Sequence, residues 1–99
     1  MHMMENEQLQ EKFDTGLRNI GHEIKSRLVE HGLFGTVTTT PRGPGEAPDG
    51  MALEINAKGR AAGRSFDRQQ IEGCYLRVGG AVLSDIIAMV DEVSAATLK

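Results

Sequence analysis

Tryptophan is absent from this chain, cysteine occurs once, and the aromatic residues amount to three phenylalanines and one tyrosine. The core must therefore be built from leucine, isoleucine, valine and methionine, and there is no strong stacking platform for bases or sugar rings. A single cysteine, Cys74, excludes an internal disulfide and fits a reducing compartment. No apolar run approaches the roughly 18 residues of a membrane-spanning helix. The opening MHMMENEQ also lacks the charged-then-apolar order of a secretory signal. The expectation is a cytoplasmic protein of bacterial type with no membrane partner. Proline is scarce as well: all three lie between Pro41 and Pro48, so the strongest chain breakers act at one place.

What is present is ordinary globular composition, with 39% hydrophobic and 25% charged residues in 99, enough for one modest core. Residues 1–4 read as a disordered start or a cloning remnant, so His2 is given no function, and residues 5–99 as a single domain. The net charge of −3 is unevenly spread: the stretch 51–82 is mildly basic, and both flanks are acidic.

From Glu5 to His31, apolar residues fall at Leu9, Phe13, Leu17, Ile20, Ile24 and Leu28, the spacing of one helix face. Asp14–Arg18 and Glu23–Arg27 stand at ion-pair spacing, and Gly32 is a natural helix stop. Gly16 and Gly21 weaken the helix interior and are read as places where a neighbouring element packs closely. Leu33–Thr40 alternates β-branched and apolar residues, predicting a strand. The sequence MALEINA, Met51–Ala57, alternates strictly and predicts a second. A lone helix and strand cannot close a core, so the two strands are expected to pair across a long mobile loop at 41–50.

Lys58-Gly59 follows as a tight turn, and Arg60–Phe66 returns as a third strand. A two-residue loop pairs Ala57 with Arg60, Ile55 with Ala62, Leu53 with Arg64 and Met51 with Phe66. A three-residue loop would instead turn Ala61, Gly63 and Ser65 inward. Asp67 with Gln70 three residues on forms a capping box for a short helix RQQIEGCYL. The piece CYLRV could alternatively form a fourth strand. From Ala81 to about Thr97, an apolar stripe of Val82, Leu83, Ile86, Ile87, Val90 and Val93 predicts a closing helix. The fold class is α+β in the order α-β-β-β-α-α, with helices on one face of an antiparallel meander.

The hairpin LEINAKGRAAGRSF with the following DRQQIEG resembles small bacterial proteins of unknown function. In those, a strand–turn–strand runs into a short capped helix of the Phe-x-Arg-x-x-Ile/Leu-Glu sort and then a C-terminal helix. The resemblance spans about residues 51–95. It implies a fold arrangement and no activity, so no functional residue is carried over from it.

Few residues suggest chemistry. His22 and His31 share no helix face, and no cysteine pair, H-x-x-x-H or calcium loop occurs, so no metal is assigned. Cys74 has no histidine near it in sequence and reads as a small packed hydrophobe. Glu54, Asp67 and Glu72 have no spacing that demands a shared cleft. The glycines of RGPGEAPDG and GRAAGR match no phosphate-binding pattern. No catalytic residue and no cofactor is expected. The one functional hint is a basic row, Lys58, Arg60, Arg64 and Arg68, with Arg42 and Arg77 as neighbours, suited to an acidic protein surface or to phosphates. Two apolar helix stripes over three short strands also suggest surplus apolar surface and a homodimer. The expected role is a non-enzymatic protein-interaction or accessory module, with nucleic-acid binding through the arginine row as the alternative.

Overall fold

The computed structural model describes the backbone of residues 2–42 and 50–95 and the side chains of residues 10–41 and 50–94. The elements run α1 His2–Glu30, β1 Thr36–Arg42, β2 Gly50–Ala57, β3 Arg60–Asp67, α2 Arg68–Glu72 and α3 Gly80–Ala95. The three strands form one antiparallel sheet in the order β1-β2-β3. This is the expected α+β order, with helices over one face of the sheet.

Phe13, Ile20, Ile24 and Leu28 of α1 are buried, as their spacing requires. The helix starts earlier than expected, at His2 rather than Glu5, since Met3 and Met4 are good helix formers that nothing interrupts. Its end is set by Gly32 at φ +72. The Gly32 N–H donates to the Val29 carbonyl and the Leu33 N–H to the Leu28 carbonyl, at 2.9 and 2.8 Å. These two bonds make a Schellman stop, and its usual apolar contact is met by Leu28 and Leu33, both buried. Leu33 is thus spent on the core. As a result β1 begins at Thr36, not Leu33, and runs on through Pro41 and Arg42. Pro41, Arg42 and Gly50 of the expected 41–50 loop thus belong to strands, and residues 43–49 lie outside the described ones.

The β2–β3 turn settles the register. Lys58 and Gly59 have φ +51 and +77, the left-handed pair of a two-residue hairpin turn. Ala57 then pairs with Arg60, Ile55 with Ala62, Leu53 with Arg64 and Met51 with Phe66. Across the other junction Val37 faces Ile55, Thr39 faces Leu53 and Pro41 faces Met51. Those rows point at the helices. Thr36, Thr38 and Thr40, with Glu54 and Gly63, lie on the opposite face, left uncovered by the described residues.

The capping box forms as read: the Gln70 N–H donates to the Asp67 carboxylate at 2.8 Å, and the Asp67 N–H donates to the Gln70 side chain at 2.9 Å. The helix it starts stops at Glu72, so the expected extension through Cys74-Tyr75-Leu76 is corrected. That segment is neither helix nor a fourth strand. It is a connection held to α1 by the Asn19 side-chain amide, which donates to the carbonyls of Cys74 and Tyr75 at 2.9 and 3.1 Å. In α3 the buried set is Val82, Ile86, Met89, Val90 and Val93, Met89 joining the expected stripe.

Candidate functional site

The hairpin register puts Arg60 and Arg64 on the helix-facing side of β3, where long side chains must leave the apolar layer to reach water. Arg64 does so toward α3. Its Nη2 meets Glu92 Oε2 at 2.6 Å, and its Nη1 donates to the Gly63 carbonyl at 2.8 Å. Arg68 pairs with Glu72 one helical turn on, Nε to Oε2 at 3.0 Å, and its guanidinium lies 4.6 Å from the centre of the Phe13 ring. Both therefore tie elements of the fold to each other. Lys58 and Arg60 remain exposed at the hairpin tip, and Arg77 is exposed on the α2–α3 connection. Arg42 ends β1, across the sheet from Asp67 by way of Gly50, and its side chain lies outside the described ones. The structure thus divides the basic row among the hairpin tip, two ion pairs, a separate loop and the far end of the sheet.

A second set of basic residues lies on α1, outside the row singled out from the sequence. Arg18, His22 and Lys25 recur at intervals of four and three residues, so they share one flank of α1. The expected Asp14–Arg18 pair does not form. Asp14 accepts from the Gln10 side chain at 3.0 Å instead, while Glu23–Arg27 forms at 2.7 Å. Arg18 and Lys25 carry no ion pair among the described residues. Across from them runs β1, whose helix-facing residues Val37 and Thr39 are half-buried and exposed, whereas their cross-strand partners Ile55 and Leu53 are buried. α1 packs beside β1 but leaves the helix-facing side of that strand part open, with Val37 half-buried against the core and Thr39 in water. What remains is a groove of about 220 Å³ between Arg18, Gly21, His22 and Lys25 on one wall and Val37 and Thr39 on the other. Gly21 was expected to admit a close neighbour, but nothing lies within 4 Å of where its Cβ would stand. It widens this groove.

The signal available in the sequence was the basic i, i+4, i+7 spacing itself. Its meaning depended on where β1 would lie, which no local pattern specifies.

Lys25 also borders a second, more apolar hollow of about 170 Å³ formed with Leu28, Val29, Leu33, Phe34 and Gly35. Here Phe34 is 87% exposed and Val29 62%. By contrast, Phe13, Ile20, Ile24 and Leu28 of α1 are buried and Leu17 is half-buried, and among the described residues Ile87 is the large apolar side chain of α3 that lies substantially in water, at 38%. Among the described residues little of the helix surface expected to favour a homodimer is exposed. The exposed apolar groups sit mainly on connections, at Phe34 and Leu76.

Elsewhere the chemistry is quiet. No three metal-binding side chains gather among the described residues. Cys74 is buried, and burial pushes its thiol up from the ordinary value of 9.0, partly opposed by a backbone hydrogen bond from Gly79. No helix among the described residues is long and apolar enough to cross a membrane. No known family model, curated protein or solved structure matches this chain.

Proposed function

We propose that this chain is a non-enzymatic interaction module that holds a protein partner along the side where α1 borders β1. One observation carries the reading. β1 is an edge strand whose helix-facing side is left part open, with Phe34 and Val29 in water at the entrance. An edge strand presents unpaired backbone donors and acceptors, and proteins usually blunt or cover such an edge. A phenylalanine exposed to this degree forgoes about 1.5–3 kcal/mol of burial, which a docked partner recovers. The single cysteine supports placing the protein in the cytoplasm.

A photoreactive benzoyl-phenylalanine at position 34, with position 65 on the uncovered sheet face as control, tests the reading in lysate of the source cells. Discrete protein adducts from position 34 and none from position 65 are expected. An adduct with the chain itself would make the partner a second copy. Absence of any protein adduct at position 34 would overturn the reading.

Nucleic-acid binding is the second reading, favoured by Lys58 and Arg60, which stand exposed together at the hairpin tip without ion pairs among the described residues. Retention on duplex DNA or RNA that falls steeply with salt, and is lost in Lys58→Glu with Arg60→Glu, is what it requires.

A further inference from the structure

The groove between α1 and β1 combines three features that a single class of partner satisfies. Its helical wall is basic: Arg18 and Lys25 stand in a row with His22 between them, in a chain whose net charge is −3. The carboxylates nearest in the helix are engaged elsewhere, Glu23 with Arg27 at 2.7 Å and Asp14 with Gln10 at 3.0 Å. Its floor ends in a strand edge that has β2 on one side and no strand on the other among the described residues. Lys25 is shared with the neighbouring apolar hollow of Leu28, Val29, Leu33 and Phe34.

We infer, resting on the interaction-module reading, that this groove takes an extended acidic peptide that adds itself as a fourth strand beside β1. Its carboxylates meet Arg18 and Lys25, and an apolar side chain enters the hollow beside Phe34. Strand addition satisfies the outward N–H and C=O groups of β1 with main-chain partners, and side-chain pockets then supply selectivity. The dimensions agree. Arg18 and Lys25 are separated by about 10 Å along the helix axis at about 1.5 Å per residue. Alternate residues of a strand recur every ~7 Å on one face, so acidic residues two apart reach both cations through their long side chains. The intervening residues of the peptide fall on the open side, in line with Thr36, Thr38 and Thr40.

Two other occupants fit less well. A second copy pairing β1 with β1 across a two-fold axis would set two Arg18 and Lys25 pairs against one junction, an arrangement of like charges. A nucleic-acid strand offers phosphate acceptors to the cations but no regular row of N–H donors, leaving the outward carbonyls of β1 without main-chain partners.

The test uses a fluorescein-labelled octapeptide alternating glutamate and threonine, with leucine at each end, and the full chain at low salt. Saturable binding is expected, with amide shifts and slowed hydrogen exchange concentrated at Val37–Thr39. Affinity should fall by about tenfold or more in Arg18→Glu with Lys25→Glu, as expected when two partly desolvated charges are reversed. A lysine-for-glutamate version of the peptide should not bind. The idea is overturned if the glutamate peptide does not bind, if it perturbs residues away from β1, or if charge reversal leaves its affinity unchanged. It is equally overturned if a short DNA duplex, and not the peptide, shifts the same amides. Cross-links from position 34 that persist in the charge-reversed chain would leave the interaction reading standing while removing the acidic partner. Loss of all cross-links in the unaltered chain would remove the interaction reading itself.

Discussion

Gly16 on α1 lies directly beneath the Ile71 carbonyl of α2, so close that a Cβ at position 16 would overlap the carbonyl oxygen. The short capped helix docks onto the long one through this bare patch of backbone. A backbone carbonyl is not free to swing aside as a flexible side chain can, so any residue larger than glycine must push α2 away. Gly16→Ala is expected to destabilise the fold by about 2 kcal/mol or more, despite the gain in helix propensity, because both Ile71 and the Phe13–Arg68 contact lose their seats. Gly21 on the same helix has no neighbour within 4 Å of a would-be Cβ. Gly21→Ala is expected to stabilise by roughly 0.5–1 kcal/mol. Urea unfolding of the two variants should give shifts of opposite sign, and equal signs would contradict the packing described.

Asp67 supplies one half of the capping box of α2. Asp67→Ala should cost about 1 kcal/mol in chemical denaturation, and Asp67→Asn only a few tenths, since asparagine caps nearly as well.

The Arg64–Glu92 pair is short at 2.6 Å, yet its side chains are 34% and 51% exposed. Solvent and salt screen such a pair, so its coupling in a double-mutant cycle should be about 0–1 kcal/mol and shrink further at high ionic strength. A larger, salt-independent coupling would mean that Arg64 holds α3 by more than this contact.

Burial raises the Cys74 thiol above the ordinary value of 9.0. In the folded chain the proton is held more tightly than in the unfolded one, so this contribution to stability is fully present below pH 9 and is lost as pH rises through the folded value. Comparison with Cys74→Val isolates it: the wild-type chain should lose stability faster than the variant above about pH 9. Reaction with a disulfide reagent near neutral pH should be slow in the native state and fast in urea. Equal rates in both conditions would place the thiol in water.

Local chemistry in the sequence determined most of the fold. The apolar spacing of residues 13–28, the Lys58-Gly59 turn and the Asp67–Gln70 box each act over a few residues, so their outcomes could be read without knowing where distant segments lie. The turn did more than mark a bend. By demanding two left-handed residues it set the β2–β3 register and sent Arg60 and Arg64 to the helix side. Segment ends were less legible, because Leu33 and Cys74 answer to the core and to Asn19 rather than to their own neighbours in sequence.

The tertiary structure alone decided which cations are spent and which stand open. Arg64 finds Glu92 across 28 positions, and Arg68 lies over Phe13. Arg18 and Lys25 line a groove because α1 passes beside β1 without closing over Thr39. Ion pairing and exposure depend on the distance between elements, and that distance follows from how whole surfaces pack, a quantity that no short stretch of residues encodes.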